Sequence, residues 1–150
     1  MGSSPITRIL LFLLRMKLEK LLKYAIKKGK KDKIEKSTRR LIKKASLQNV
    51  ENIWEVIDTA VENSMPYINL KTTRIRGKNT LMPTLMKKNH SEYLCYSWLY
   101  KGALTKKKRS FEENLLTELV EASEKKSYSF KKCQEIYKLA EVNMVQTRRS

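Results

Sequence analysis

The stretch from Pro66 to Met86 has few conformations open to it, and the rest of the chain has to accommodate it. Two extended runs rich in Ile, Thr, Leu and Tyr flank Arg76-Gly77-Lys78-Asn79, where Gly77 and Asn79 can both adopt positive φ. That pattern predicts a β-hairpin over 66–86. Lys71, Arg74, Arg76 and Lys78 put four cations at or near its tip, and no carboxylate lies between Glu62 and Glu92. A lone two-stranded ribbon is at best marginally stable in water, so flanking helices must anchor it. An anchored, cationic finger suits a polyanion; the plain alternative is a solvated surface hairpin.

Helical periodicity governs the segments on either side. The apolar run Ile9 to Leu14, within an N-terminal segment 1–15, is too short to span a bilayer and is expected to pack on the core. From Met16 to Lys28, Leu18, Leu21, Leu22, Ala25 and Ile26 recur every three or four residues among lysines, predicting an amphipathic helix ended by Gly29. Asp32 is placed to cap a second helix with Ile34, Thr38, Leu41, Ile42 and Ala45 inside. Asn49 is placed to cap a third, to about Ser64, with Val50, Ile53, Trp54, Ile57, Ala60 and Val61 buried; Pro66 closes this helical region, 16–65. After the hairpin, helices occupy 91–147. Ser91 caps one carrying Leu94, Cys95, Trp98, Leu99 and Ala103, and Ser110 opens a capping box before Leu115, Leu116, Leu119 and Val120. A last helix follows Ser129-Phe130 through Ile136, Leu139 and Ala140, with Tyr137 able to stack on a base or to sit partly buried. The class is mainly α, in one domain of 150 residues.

Charge separates the possible functions. The chain carries 33 Lys plus Arg against 15 Asp plus Glu, an excess that self-repels unless a polyanion neutralises it: nucleic acid first, an anionic membrane surface second. Arg15 to Ser46 alone holds 14 cations and three acids. The third helix inverts the sign, with Glu51, Glu55, Asp58 and Glu62 and no Lys or Arg, and Glu118, Glu121 and Glu124 do the same later. Both are read as scaffold faces with outward acids, turned from the polyanion and able to pair with the basic helices. Lys106-Lys107-Lys108-Arg109 forms a basic loop, and Arg148-Arg149 a basic end. Enzyme chemistry finds no foothold. There is one His, no phosphate-loop or nucleophile-elbow spacing, and no catalytic partner for Cys95 and His90. Cys95 and Cys133 fit free thiols in a reducing compartment, with no metal site and no cofactor expected.

The residues, taken in order, resemble the universal small-ribosomal-subunit protein seven family. The likeness begins at Leu18, passes Gly29-Lys30-Lys31, and becomes close at Ala60-Val61-Glu62-Asn63 with Pro66. It continues through Lys71-Thr72-Thr73-Arg74-Ile75-Arg76-Gly77, Pro83 and Trp98, and ends at Phe130-Lys131-Lys132 and Leu139-Ala140-Glu141-Val142-Asn143. From Ala60 onward no gap is needed. The resemblance implies a bundle of about six helices with a β-ribbon protruding between the third and fourth. It implies binding to the 3′ major domain of small-subunit rRNA, organisation of head assembly beside neighbouring small-subunit proteins, and a ribbon reaching toward the messenger and exit-site tRNA path. Lys30, Lys31, Lys71, Arg74, Lys131, Lys132 and Asn143 fall on its RNA-facing positions. Arg76, Lys78, Lys106, Lys107, Lys108, Arg109, Arg148 and Arg149 join them on charge. His90-Ser91 replaces a basic pair of the family, which moves the expected contact to Lys87 and Lys88. Thr73 replaces an Arg, Arg76 replaces the first Gly of the turn, Val142 to Arg148 depart from the family's ending, and Ile9 to Leu14 stands where a basic arm is usual. Such divergence, rich in Lys, Asn and Ile, suggests a mitochondrial ribosome. With no transit peptide visible, a matrix location would follow from synthesis inside the organelle, or from the chain being a mature form. The alternative function is a general basic nucleic-acid or anionic-membrane binder using the helix Met16 to Lys28.

Overall fold

A computed structural model describes residues 4–25, 31–50, 52–107 and 110–149. Their order is α1 (Pro5–Ala25), α2 (Lys31–Leu47), α3 (Ile53–Ser64), β1 (Ile68–Ile75), β2 (Lys78–Leu85), α4 (Lys88–Thr105), α5 (Phe111–Ser123) and α6 (Tyr128–Arg149). The ribbon therefore leaves the helices between α3 and α4, as the sequence predicts.

The core is built from the expected apolar stripes. Leu18, Leu21 and Leu22 of α1, Leu41 and Ala45 of α2, and Ile57, Ala60 and Val61 of α3 are buried together with Cys95, Leu99 and Ala103 of α4 and Leu115, Leu116, Leu119 and Ala122 of α5. Burying each large aliphatic side chain contributes about 1.5–3 kcal/mol against the entropy of ordering the chain. α3 packs on α5, α1, α6 and α4, so the short helix before the ribbon is held on several sides. Polar joints fix the same region. Asn63 Nδ2 donates to the Ala122 carbonyl at 3.0 Å, adding a donor from α3 to the closing turn of α5. The Ser64 hydroxyl donates to Ser129 Oγ at 3.1 Å, tying α3 to α6.

Helix ends differ from the sequence expectation wherever two polar residues compete for the same task. Asn49 does not start α3. Its φ of 54° ends α2, with Asn49 N–H donating to Ser46 O and Val50 N–H to Ala45 O, a Schellman closure. Asn52, φ 46°, precedes α3 instead and makes no side-chain capping bond. Asp32 lies inside the first turn of α2, where its charge favours the helix dipole, because the helix already begins at Lys31. Ser91 sits inside α4, buried, and its hydroxyl donates to the Pro66 carbonyl; Lys87 occupies the cap position. Ser110 does cap α5, accepting from Glu113 N–H at 3.4 Å.

Two larger corrections concern burial. α1 begins at Pro5 rather than Met16, and of the run Ile9 to Leu14, Ile9, Phe12 and Leu13 stay exposed, Phe12 at 63 %, instead of packing on the core, while the side chains of Leu10, Leu11 and Leu14 lie outside the described residues. An uninterrupted apolar run propagates the helix outward, and the eleven residues from Pro5 to Arg15 extend it by roughly 16 Å. The expected end of this helix at Lys28-Gly29 lies outside the described residues. Glu118, expected on an outer face, is fully buried. Its Oε1 accepts from Ser129 N–H at 3.3 Å and Ser129 Oγ at 3.1 Å, and Lys106 Nζ stands 3.5 Å from Oε2. Gly102 makes room for it, since a Cβ there would come within 2.4 Å of Glu118 Oε1. Within α6, Leu139 is exposed, while Ala140 and Cys133 turn inward.

Candidate nucleic-acid interface

The ribbon closes by a two-residue turn. Arg76 and Gly77 carry φ of 50° and 78°, the pair of positive values a type I′ turn requires. Asn79, expected in the turn, is instead paired across the ladder with Arg74, because the right-handed twist of the strands favours the tighter primed turn. Opposed residues share a face. Ile68, Leu70, Thr72 and Arg74 therefore lie with Leu85, Pro83, Leu81 and Asn79, and Asn69, Lys71, Thr73 and Ile75 with Thr84, Met82, Thr80 and Lys78. Thr73 and Thr80 each donate a hydroxyl to the other's carbonyl, at 3.4 and 3.3 Å, stiffening the outer half. Arg74, Arg76 and Lys78, all exposed, crowd the end; Lys71, also exposed, stands four residues below Ile75, roughly 13 Å down the strand. The cations thus border both faces and the turn.

The foot of the ribbon is bonded to two helices. Met86 N–H donates to the Tyr67 carbonyl at 2.9 Å, closing the ladder just above α4. Tyr137 of α6 accepts from Tyr67 N–H at 3.2 Å and donates to the Met65 carbonyl at 3.5 Å. Burial pushes its phenol pKa up to about 12, so it stays a donor throughout the physiological range. Tyr137, half-buried, is therefore a structural bolt of the ribbon. Lys87 and Lys88 are exposed where β2 enters α4.

The remaining candidates separate into free and engaged cations. Lys131 is exposed on α6; Lys132 Nζ lies 3.3 Å from Glu135 Oε2 and 5.6 Å above the Tyr128 ring. Asn143 Nδ2 donates to the Leu139 carbonyl of its own helix at 2.7 Å. Lys107 is exposed, whereas Lys106 is held between Glu118 and Glu121 of the protein's own α5. Lys30, Lys108 and Arg109 lie outside the described residues, as do the side chains of Lys31, Arg148 and Arg149.

Of the outward acids expected to pair with the basic helices, Asp58 does so, and Glu112 and Glu113 of α5 do the same. Lys17 of α1 bonds Asp58, Lys20 stands 3.6 Å from Glu92, and Arg40 and Lys44 of α2 reach Glu112 and Glu113 at 3.9 and 3.4 Å. These pairs join α1 and α2 to the rest, while the ribbon cations face no carboxylate within 66–91. Exposed Lys33, Lys36 and Arg40 also line an open concavity on α2 with Ser37, a cationic surface that the family likeness does not single out and that the spacing 33, 36, 40 marks.

No catalytic or metal chemistry is assembled among the described residues. Cys95 is buried, its Sγ 3.6 Å from the Val61 carbonyl, and burial pushes its pKa far up; burial raises that of Cys133 as well. No group of three or more His, Cys, Asp or Glu among the described residues could hold a metal ion.

Known proteins share this arrangement. The family model described as Ribosomal protein S7p/S5e matches residues 12–144. Similar chains include the small ribosomal subunit protein uS7 of Wolbachia sp. subsp. Brugia malayi, 32 % identical over 143 residues, 93 % of this chain and 87 % of that one. That of Malacoplasma penetrans is 35 % identical over 117 residues, 78 % and 74 % of the two chains. That of Coprothermobacter proteolyticus is 31 % identical over 115 residues, 77 % and 74 %. With six helices among the described residues, a ribbon between the third and fourth, and a family match over most of its length, the chain belongs to the ribosomal protein S7 family.

Proposed function

We infer that the chain is a structural, non-enzymatic component of the small ribosomal subunit, in contact with rRNA and neighbouring ribosomal proteins. Its finer role is to bind the 3′ major domain of small-subunit rRNA, organise the head, and extend the ribbon toward exit-site tRNA and messenger. The observation that carries this reading is the division of charge. Asp58 of α3 and Glu112, Glu113, Glu118 and Glu121 of α5 are engaged by α1, α2 and Lys106, while the ribbon cations Lys71, Arg74, Arg76 and Lys78 have no carboxylate in their own stretch from Pro66 to Ser91. Phosphates are the natural counter-charge for such a finger, and a folded RNA junction supplies shape specificity. A mitochondrial ribosome fits the divergence of the sequence, at 27 to 35 % identity to bacterial relatives.

A membrane adhesive built on the helix Met16 to Lys28 is disfavoured by burial. The apolar stripe Leu18, Leu21 and Leu22 that a membrane-surface helix would present lies in the core, and no helix among the described residues is long and apolar enough to cross a bilayer. Competition binding among a folded 3′ major-domain RNA fragment, random duplex DNA and anionic vesicles tests the reading. A preference of about a thousandfold for the RNA, surviving added salt, is expected. Equal binding that collapses with salt would reduce the charge to a general adhesive.

A further inference from the structure

Aromatic and apolar side chains gather in solvent at the foot of the ribbon, well away from its charged tip. His90 and Tyr93, one turn apart on α4, hold their rings nearly parallel, 14° between planes and 6.5 Å between centroids. Both are exposed, Tyr93 at 53 %. Tyr67 and Leu85, at the root of the two strands, are also exposed, Leu85 at 89 %. These groups are neighbours by construction, since Met86 N–H bonds the Tyr67 carbonyl and the Ser91 hydroxyl bonds the Pro66 carbonyl. Exposed Lys87 and Lys88 lie between Leu85 and His90 in the chain.

The local charge selects the partner. No acid occurs from Pro66 to Ser91, and Glu92, the first one after it, stands 3.6 Å from Lys20. An apolar protein groove would have to desolvate two lysines without a carboxylate from this side. An unpaired nucleotide offers a flat π-face to the rings and phosphates to the ammonium groups. Folded RNA supplies such nucleotides in its loops and bulges, where bases are free to stack on aromatic side chains.

We propose that His90 and Tyr93 form a stacking platform for an unpaired RNA base, with Lys87 and Lys88 holding the adjoining phosphates. The proposal rests on the rRNA-binding function above and adds a second mode to it: the tip engages backbone, and the foot engages a single-stranded base. The two exposed rings lie within 14° of parallel, so a base stacked on one shares the orientation of both. The bonds from Ser91 and Met86 fix the platform to the ribbon root, so no loop has to be ordered on binding.

The test uses the full chain and a single-stranded RNA oligomer of about eight nucleotides, within the footprint of single-strand binders, carrying a fluorescent adenine analogue. Stacking should quench the analogue. The double variant His90→Ala/Tyr93→Leu should bind the oligomer about tenfold more weakly and lose the quenching, while Tyr93→Phe retains both. A fully paired RNA duplex should bind parent and variant alike, and matching melting curves exclude misfolding as the cause. If the double variant binds and quenches as the parent does, the rings are a protein-contacting or bare surface and the proposal is overturned. A 3′ major-domain fragment run alongside separates the two readings. Retained fragment binding with unaltered quenching in the variant removes the platform alone; oligomer quenching without any preference for the fragment removes the ribosomal reading and leaves the platform standing.

Discussion

Arg76 is the residue where stability and charge pull in opposite directions. A φ of 50° crowds the Cβ of any residue but Gly, at a cost of about 1 kcal/mol, and Asn tolerates that region better than Arg. Arg76→Asn should therefore raise ribbon stability by up to about 1 kcal/mol, read as a higher melting temperature or slower exchange of the ladder amides. The same variant should bind RNA less tightly, because a tip cation is gone. Lys125, at φ 62°, closes α5 in the same strained fashion, with Lys126 N–H donating to Glu121 O at 2.9 Å. Cys95 makes a different kind of prediction. Its ordinary pKa of 9.0 is pushed up by burial, first of all, in the folded state. The folded chain thus keeps a proton that the unfolded chain loses, and stability that is complete below about pH 9 declines as pH rises. Burial raises Tyr96 from 10.0 in the same sense. Melting temperature should fall on titration from pH 8 to 10.5, and Cys95→Ala should flatten the part beginning near pH 9, by up to about 1 kcal/mol per pH unit.

Among the elements, α1 divides into two halves with separate fates. Its second half buries Leu18, Leu21 and Leu22; in its first half Ile6, Ile9, Phe12 and Leu13 remain exposed. Since those four side chains already face water in the folded chain, replacing them together by Gln should shift the melting temperature by less than about 2 °C. A loss as large as that of a core leucine would mean that the segment packs on the bundle in solution. α5 is the opposite case. Through Glu118 it reaches α6 at Ser129 and α4 at Gly102 and Lys106, so one carboxylate joins three helices. The sequence marked Glu118 as outward because acids usually are. Its burial depends on Ser129, Lys106 and Gly102, none of which is near it in the chain.

For the molecule as a whole, the ribbon is a cationic projection on a bundle that is itself basic, and removing the ribbon's charge should separate folding from binding. Replacing Arg74, Arg76 and Lys78 together by Gln should leave the melting temperature within about 2 °C, since all three side chains are exposed. It should lower the slope of log affinity against log salt for the rRNA fragment by about 2 and impair translation more than assembly. If affinity and slope stay as they are, the finger does not contact phosphate. Much of this architecture was already present in one dimension. Apolar spacing at three and four residues marked the buried stripes of α2 through α5, period-two alternation with Gly77 marked the ribbon, and the lack of acids from Pro66 to Ser91 marked its charge. Those features are local, set by backbone geometry and side-chain chemistry within a few residues, so the sequence by itself determined them. The tertiary structure alone decided which of Asn49 and Asn52 ends a helix and which precedes one, that Ser91 bonds Pro66 instead of capping α4, and that Lys106 serves Glu118 and Glu121. It alone decided that Glu118 is inside and Phe12 outside. Each of those outcomes depends on whether a distant surface is present to meet the side chain. Hydrophobic and polar burial are properties of that meeting, not of the residue's position along the chain.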